Sequence, residues 1–383
     1  MSGLPKVYDL SQVDVISLTR ELISHNTINP PGNEAIVARK LGKLLTEHGF
    51  QVQFPGYEKN RLHLVAEKGI SASVAPLVLS GHLDTVPLGN TPWKVDPFSG
   101  VTLGDKIFGR GSSDMKSGVA AMTVAAIEAT SGPAPKGGIR LIFTAGEELG
   151  CLGVQQLVKT FKELGKASSI IVGEPTANIP AIGHKGALYL NAVAKGKTAH
   201  SSMPEQGDNA IYKAAKCISK IEEFRFQAAK DPLLRFPSIN VGLMQGGLNI
   251  NSVPDHAEFT MDIRSTTMFR HQSILQRLIQ ELGNDIVIET LVDLNPVSTR
   301  ESDPFVQLVY DICGVERQSE NWPRSLPYLT DGSVLQPYYG GVPTIILGPG
   351  EPGMAHKTDE YCFIENIIQS VSIYKNIILN RST

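Results

Sequence analysis

Pro76-Leu77-Val78-Leu79-Ser80-Gly81-His82-Leu83-Asp84 is a short apolar run that closes on an imidazole and a carboxylate. The pattern recurs along the chain. Residues 139–144 lead into Glu147-Glu148, residues 168–172 into Glu174, and residues 342–347 towards His356. Asp114 adds a fifth site, in Gly109-Arg110-Gly111-Ser112-Ser113-Asp114, just ahead of a helical pattern. Short apolar strands separated by helices predict an α/β fold, a mainly parallel sheet with helices on both faces. In such sheets ligands collect beyond the carboxyl ends of the strands, which is where these residues fall. Imidazole and carboxylate in this ratio suit a pair of zinc-like ions.

Outward from the quoted run, residues 10–22 carry helical spacing with Ser11 as the expected cap. Asn29-Pro30-Pro31-Gly32 interrupts it, and residues 34–48 resume a helix that stops at Gly49. Strands are expected at 50–54 and 61–67, and helices at 117–129 and 153–164. Near Gly183 the pattern changes. Residues 187–195, 238–244 and 257–264 alternate as half-solvated strands, interleaved with helices at 209–224 and 272–282 and a last strand at 285–292. That order describes a ferredoxin-like module with an antiparallel sheet. From about Asn295 helices (305–312, 364–379) and a buried strand (344–347) return. The expected organisation is a discontinuous catalytic domain, 1–183 and 295–383, with an inserted α+β module at 184–294.

Bulk properties narrow the function classes. A chain of 383 residues exceeds what one core usually organises, and 42% apolar with 19% charged residues is ordinary for a globular protein. A formal charge of -3 gives no basic surface for nucleic acid. The apolar runs are too short to span a bilayer, so no membrane association is expected. No signal peptide is visible at the start, and Cys151, Cys217, Cys313 and Cys362 form no CxxC pair, so a cytoplasmic location with reduced thiols is expected.

Each candidate residue has a plain alternative. His82 and Asp84, one residue apart, can point the same way in an extended segment, where Asp84 can orient His82; a polar loop explains the pair about as well. Asp114 can simply cap the helix after it. Glu147-Glu148 can be a solvated loop end, but two adjacent carboxylates can also divide the work, one binding metal and the other accepting a proton. Cys151 is a soft ligand or an inert buried thiol. Glu174 and His356 are individually weak. The set is stronger than its members. Gly109-Arg110-Gly111 lacks the later glycine of a dinucleotide loop, Gly196-Lys197-Thr198 lacks the first glycine of a P-loop, and neither HExxH nor GxSxG occurs.

At these residues the chain resembles the two-zinc amidohydrolase and exopeptidase family of acetylornithine deacetylase, succinyl-diaminopimelate desuccinylase and bacterial carboxypeptidase. The matching stretches are Ser80-Gly81-His82-Leu83-Asp84-Thr85-Val86-Pro87, Gly109 to Lys116, Glu147-Glu148-Leu149-Gly150, Gly173-Glu174-Pro175-Thr176 and Ala355-His356-Lys357-Thr358-Asp359-Glu360. The resemblance implies that Asp114 bridges two divalent ions, zinc or alternatively cobalt. His82 and Glu174 would complete one ion, and Glu148 and His356 the other. Glu147 would be the general base and Asp84 the partner of His82, and the Asp114-Met115 peptide bond would be cis.

The inserted module matches too, through the segment from Gly196 to Pro204 and through Asn251-Ser252-Val253-Pro254-Asp255 and Asp262-Ile263-Arg264. By the resemblance it is a lid that dimerises. His200 would reach the partner subunit's site and, with Asn251, stabilise the transition state, while Arg264 would hold a substrate carboxylate. The implied reaction is hydrolysis of the amide N-acyl bond of a small N-acylated amino acid. Gly173-Glu174-Pro175-Thr176, His184-Lys185-Gly186 and Gly348-Pro349-Gly350 look more like the deacetylase and desuccinylase than like di- or tripeptidases. A di- or carboxypeptidase is the alternative enzyme, and a non-catalytic binding homologue the alternative of another class.

Overall fold

The computed structural model describes residues 13–133, 135–227, 229–315 and 324–381. The expected cap Ser11 lies outside them. Helix α1 (Val15–Ile23) is capped by Asp14 instead, whose carboxylate accepts the Ile16 and Ser17 amides at 3.1 and 3.2 Å. It is followed by α2 (Ala35–Glu47), β1 (Gln51–Gln53), β2 (Leu64–Lys68), β3 (Leu77–His82), α3 (Lys116–Ala129), β4 (Ile139–Thr144), α4 (Leu152–Thr160) and β5 (Ser169–Val172). Next come β6 (Gly186–Lys195), α5 (Ala210–Glu223), β7 (Ser238–Gly246), β8 (His256–Ser265), α6 (His271–Leu282) and β9 (Ile286–Leu294). The chain ends with α7 (Pro304–Ile312), α8 (Gly332–Tyr338), β10 (Thr344–Ile346) and α9 (Ile364–Asn380). The sequence reading missed α8, because Gly332 and Pro337 erase the helical signal in a seven-residue element.

Contacts divide the chain into two compact units. The first comprises Met1–Ile182, Thr299–Pro323 and Thr330–Thr383. Its sheet runs β1-β2-β4-β3-β5-β10, with β3 parallel to β4 and β5, β5 parallel to β10, and β2 antiparallel to β1 and β4. Every residue of β3 is buried, so its apolar start, Leu77-Val78-Leu79, runs without the alternation of a half-solvated strand. Helix α3 is sandwiched between β3 and the helices α1 and α9, which is why it is Ala-rich and buried all round. Its backbone comes unusually close to the sheet. A Cβ on Gly118 would lie 2.4 Å from the Gly173 carbonyl oxygen. This approach sets the start of α3, and Asp114 just before it, against the ends of the strands.

The second unit is Gly183–Ser298 with Arg324–Leu329. Its sheet, β7-β8-β6-β9, is antiparallel throughout and has the connectivity of a ferredoxin-like module. Leu188, Leu190 and Ala192 of β6 and Phe259, Met261 and Ile263 of β8 form its core with Ile221 of α5 and Leu278 of α6. Residues 324–329 are read from sequence as part of the last segment of the other domain. They group with the inserted module because Leu326 donates to the Gly183 carbonyl and accepts from the Lys185 amide, at 3.0 and 3.1 Å. At the end of β8, His271 bonds Ser265 Oγ and Asp293 Oδ1, each at 2.6 Å, pinning the start of α6 to two strands. Among the described residues no helix is long and apolar enough to cross a membrane.

One glycine sets the position of the loop after β4. A Cβ at Gly153 would lie 1.5 Å from the Ala145 carbonyl oxygen, so α4 can sit there only with a hydrogen at that position. Gly153→Ala is expected to lower stability by about 3 kcal/mol, the upper range for overpacking, and to disturb Glu147-Glu148 with it. Thermal unfolding of the variant checks this, and an unchanged midpoint would mean the helix can shift freely.

Candidate metal centre

Asp114 occupies the centre of the site. His82 Nε2 lies 3.0 Å from its Oδ1 and 3.8 Å from Glu174 Oε1. On the other side His356 Nε2 lies 3.4 Å from Asp114 Oδ2 and 3.1 Å from Glu148 Oε2. The two oxygens of one carboxylate thus serve two groups, His82–Asp114–Glu174 and Asp114–Glu148–His356, each with its donor atoms within 4.8 Å of one another. These are the five residues expected from sequence to be ligands, brought together. The strand ends supply His82, Glu148 and Glu174, the turn before α3 supplies Asp114, and the loop after β10 supplies His356. The Asp114-Met115 peptide bond is cis.

The donor chemistry fits a pair of divalent cations. Burial pushes Glu147 and Glu174 well above the usual carboxylate range and raises Glu148 as well, and the neighbouring carboxylate charges add to the effect. Positive charge inside the cluster comes from the imidazoles. Burial would lower His82, but the hydrogen bond to Asp114 and the charges of Glu174 and Glu147 raise it well above its ordinary value. Hydrogen bonds to Asp114 and Glu148 push His356 up to about 10. Glu148 Oε1 is buried without a hydrogen-bond partner, an acceptor that a cation would satisfy.

Asp84 does something the sequence did not indicate. His82 Nδ1 contacts the Asp84 backbone carbonyl at 2.9 Å, whereas the carboxylate stands 3.7 Å away. That carboxylate accepts the amides of Gly146 and Glu147 on Oδ1 (3.0 and 3.1 Å) and of Glu148 on Oδ2 (3.2 Å). Oδ2 also accepts from Asn29 Nδ2 at 2.8 Å. Asp84 therefore orients the loop that carries Glu147 and Glu148 more directly than it orients His82.

Glu147 is held from behind. Cys151 donates its thiol to Glu147 Oε1 at 3.3 Å, and Asp331 joins these two within 4.8 Å while accepting from Thr144 Oγ1 at 2.5 Å. Burial and the charge of Glu147 push the thiol well above its ordinary value, in keeping with its role as a donor to Glu147, and Cys151 belongs to neither of the two groups that share Asp114. Asp331 and Asn29 carried no signal in the sequence, since each is a lone polar residue whose partners are far away in the chain.

The other candidates belong to the second unit. His200 is exposed, with Nδ1 2.8 Å from Ser202 Oγ, and it bridges Ser252 beside Asn251, which is also exposed. Arg264 is engaged by its neighbour Asp262, Nε to Oδ1 at 2.9 Å and Nη2 to Oδ2 at 3.1 Å, and stacks over the Tyr189 ring. Asp262 thus takes the Nε edge of the guanidinium, and Nη1 is not part of that pair.

Asp84→Asn replaces one acceptor oxygen by a donor that faces backbone amides. It is expected to cost about 10–100-fold in metal affinity or turnover, as loss of a ligand's supporting partner does. Steady-state kinetics with metal titration measures this, and wild-type values would remove Asp84 from the site. His63 Nδ1 accepts the Ala145 amide at 3.1 Å, and burial pushes its pKa from 6.5 down to about 4. The unfolded chain therefore binds the extra proton first. The contribution of His63 is fully present above about pH 6.5 and is lost as the pH falls towards 4, at about 1.4 kcal/mol per unit. His63→Gln, which can still accept from Ala145, should reduce the stability lost between about pH 7 and about pH 5 by roughly 2 kcal/mol. Unfolding curves at the two pH values check it; an unchanged difference would contradict the assignment.

The sequence model of peptidase family M20/M25/M40 matches residues 78–380. A probable succinyl-diaminopimelate desuccinylase of Staphylococcus epidermidis is 31% identical over 96% of this chain and 98% of its own length. An acetylornithine deacetylase of Myxococcus xanthus is 29% identical over 83% of each chain. Among solved structures, an M20 family metallo-carboxypeptidase of Sulfolobus solfataricus aligns with a TM-score of 0.76 at 19% identity, covering 96% of this chain and 99% of the other. The last likeness speaks for the fold. The family match runs from β3 into α9 and takes in all the residues of both three-residue groups, so the chain belongs to peptidase family M20/M25/M40 and its chemistry is the hydrolysis of amide bonds.

Proposed function

We propose that the protein removes an acyl group, such as succinyl or acetyl, from the nitrogen of a small amino acid with the help of two divalent ions, zinc or alternatively cobalt. The observation that carries the reading is Asp114 placed between two imidazole–carboxylate groups, with Glu147 next to Glu148 in the chain and near enough to His82 for their charges to interact. His82 and Glu174 would hold one ion, Glu148 and His356 the other, and Asp114 both. Bound there, the ions supply Lewis acidity, which polarises an acyl carbonyl and lowers the pKa of water. Glu147 takes the proton of the attacking water and returns it to the leaving amine. Cys151 occupies Glu147 Oε1, which leaves Oε2 to carry that proton. The names of the two curated relatives and the Gly173-Glu174-Pro175-Thr176 stretch favour N-acyl substrates over dipeptides.

A second copy of the chain belongs to this reading. By the family resemblance His200 acts in the partner's site with Asn251, and Arg264 binds a substrate carboxylate. The inserted unit leaves Leu243 on the edge strand β7 and Leu248 and Ile250 beyond it largely exposed, at 70%, 96% and 99%, as an interface would need.

Glu147→Gln should lower kcat by about 10²–10⁴-fold while metal content stays the same; near-normal turnover would place the base elsewhere. N-succinyl, N-acetyl and N-formyl amino acids should be cleaved in preference to dipeptides when zinc is supplied, and the reverse order would transfer the protein to the peptidase reading. Mixing Glu147→Gln with His200→Ala subunits should restore turnover that neither has alone. Absence of any recovery after subunit exchange would remove the partner's His200 from the site.

A further inference from the structure

Glu360 lies four residues beyond His356 and is fully buried. Its carboxylate meets only donors. Oε1 accepts the amides of Ser113 and Asp114 at 2.8 and 3.0 Å, and Oε2 accepts the Gly111 amide at 3.0 Å and Arg110 Nη1 at 2.7 Å. Arg110, itself buried, donates also to the Lys357 carbonyl from Nη1 (3.2 Å) and to the Pro87 carbonyl from Nη2 (3.0 Å). Three segments that carry ligands therefore meet at one ion pair. They are the turn before Asp114, the loop of His356, and the stretch that follows His82 and Asp84.

We infer that Glu360, backed by Arg110, is a positioning residue for both metals, because it fixes the backbone from which Asp114 divides its two oxygens. This rests on the two-metal reading above. The arrangement requires a carboxylate. Four donors converge on two oxygens, so an amide in place of either oxygen would turn its own N–H groups against donors. A buried ion pair adds little to stability on balance, yet losing one partner leaves the other charge unpaired. The pair is therefore better suited to aligning segments than to stabilising the fold.

The test is a Zn²⁺ titration of metal-free protein against a chromophoric chelator, with kinetics alongside. In E360Q the affinity for both ions should fall by about 10–100-fold, because Asp114 is shared by them. At limiting metal kcat should fall while KM changes by less than about twofold, since Glu360 touches no substrate, and excess Zn²⁺ should recover turnover. The double variant E360Q/R110M removes the charge that the single change leaves unpaired, so it should fold and still bind Zn²⁺ weakly. Wild-type Zn²⁺ affinity in either folded variant would overturn the inference. Failure of the unaltered protein to take up Zn²⁺ would instead overturn the two-metal reading.

Discussion

The site depends on the gathering of negative charge among buried side chains. Asp114, Glu147, Glu148 and Glu174 are all but buried, and carboxylates so placed cannot all ionise without positive charge among them. Burial would raise Asp114, yet hydrogen bonds from His356 and His82 hold it well below the usual carboxylate range. A stretch of surface acids would not behave this way, because water would screen them. The arrangement of the side chains thus suits divalent cations.

Charge alone does not aim the donors. Two features of the scaffold do that. Close backbone approaches, Gly118 on Gly173 and Gly153 on Ala145, let α3 and α4 sit against the strand ends with no side chain between. Buried carboxylates then gather the loops by their amides, Asp84 for residues 146–148 and Glu360 for residues 111–114. Both devices work through the backbone, so the ligand side chains remain free to face the cleft. Amide hydrolysis needs such order, since a proton acceptor and a polarising charge must meet one carbonyl within hydrogen-bond reach.

The inserted unit follows a separate logic. Along most of their length its β6 and β8 alternate buried and half-buried residues, which is the signature of a sheet with helices on one face and a more open face opposite. Periodicity identified these strands readily. It failed for α8, where Gly332 and Pro337 hide a short helix, and for residues 324–329, whose place follows from hydrogen bonds to Gly183 and Lys185 rather than from their own composition.

What could be read from the chain was local. A buried strand needs a run of apolar residues, and a residue at its carboxyl end must emerge at the same edge of the sheet as its neighbours, so His82, Glu148 and Glu174 announced a shared site before any coordinates. What could not be read was the partner of each group. Asn29 lies 55 residues from Asp84, and Glu360 lies 246 from Asp114, distances over which sequence spacing carries no geometry. The same holds for Asp84, whose one-residue separation from His82 suggested a pairing, while the folded chain turned its carboxylate to three backbone amides. Hydrogen bonds between distant segments depend on how the elements pack, and packing is fixed only when the whole core has formed.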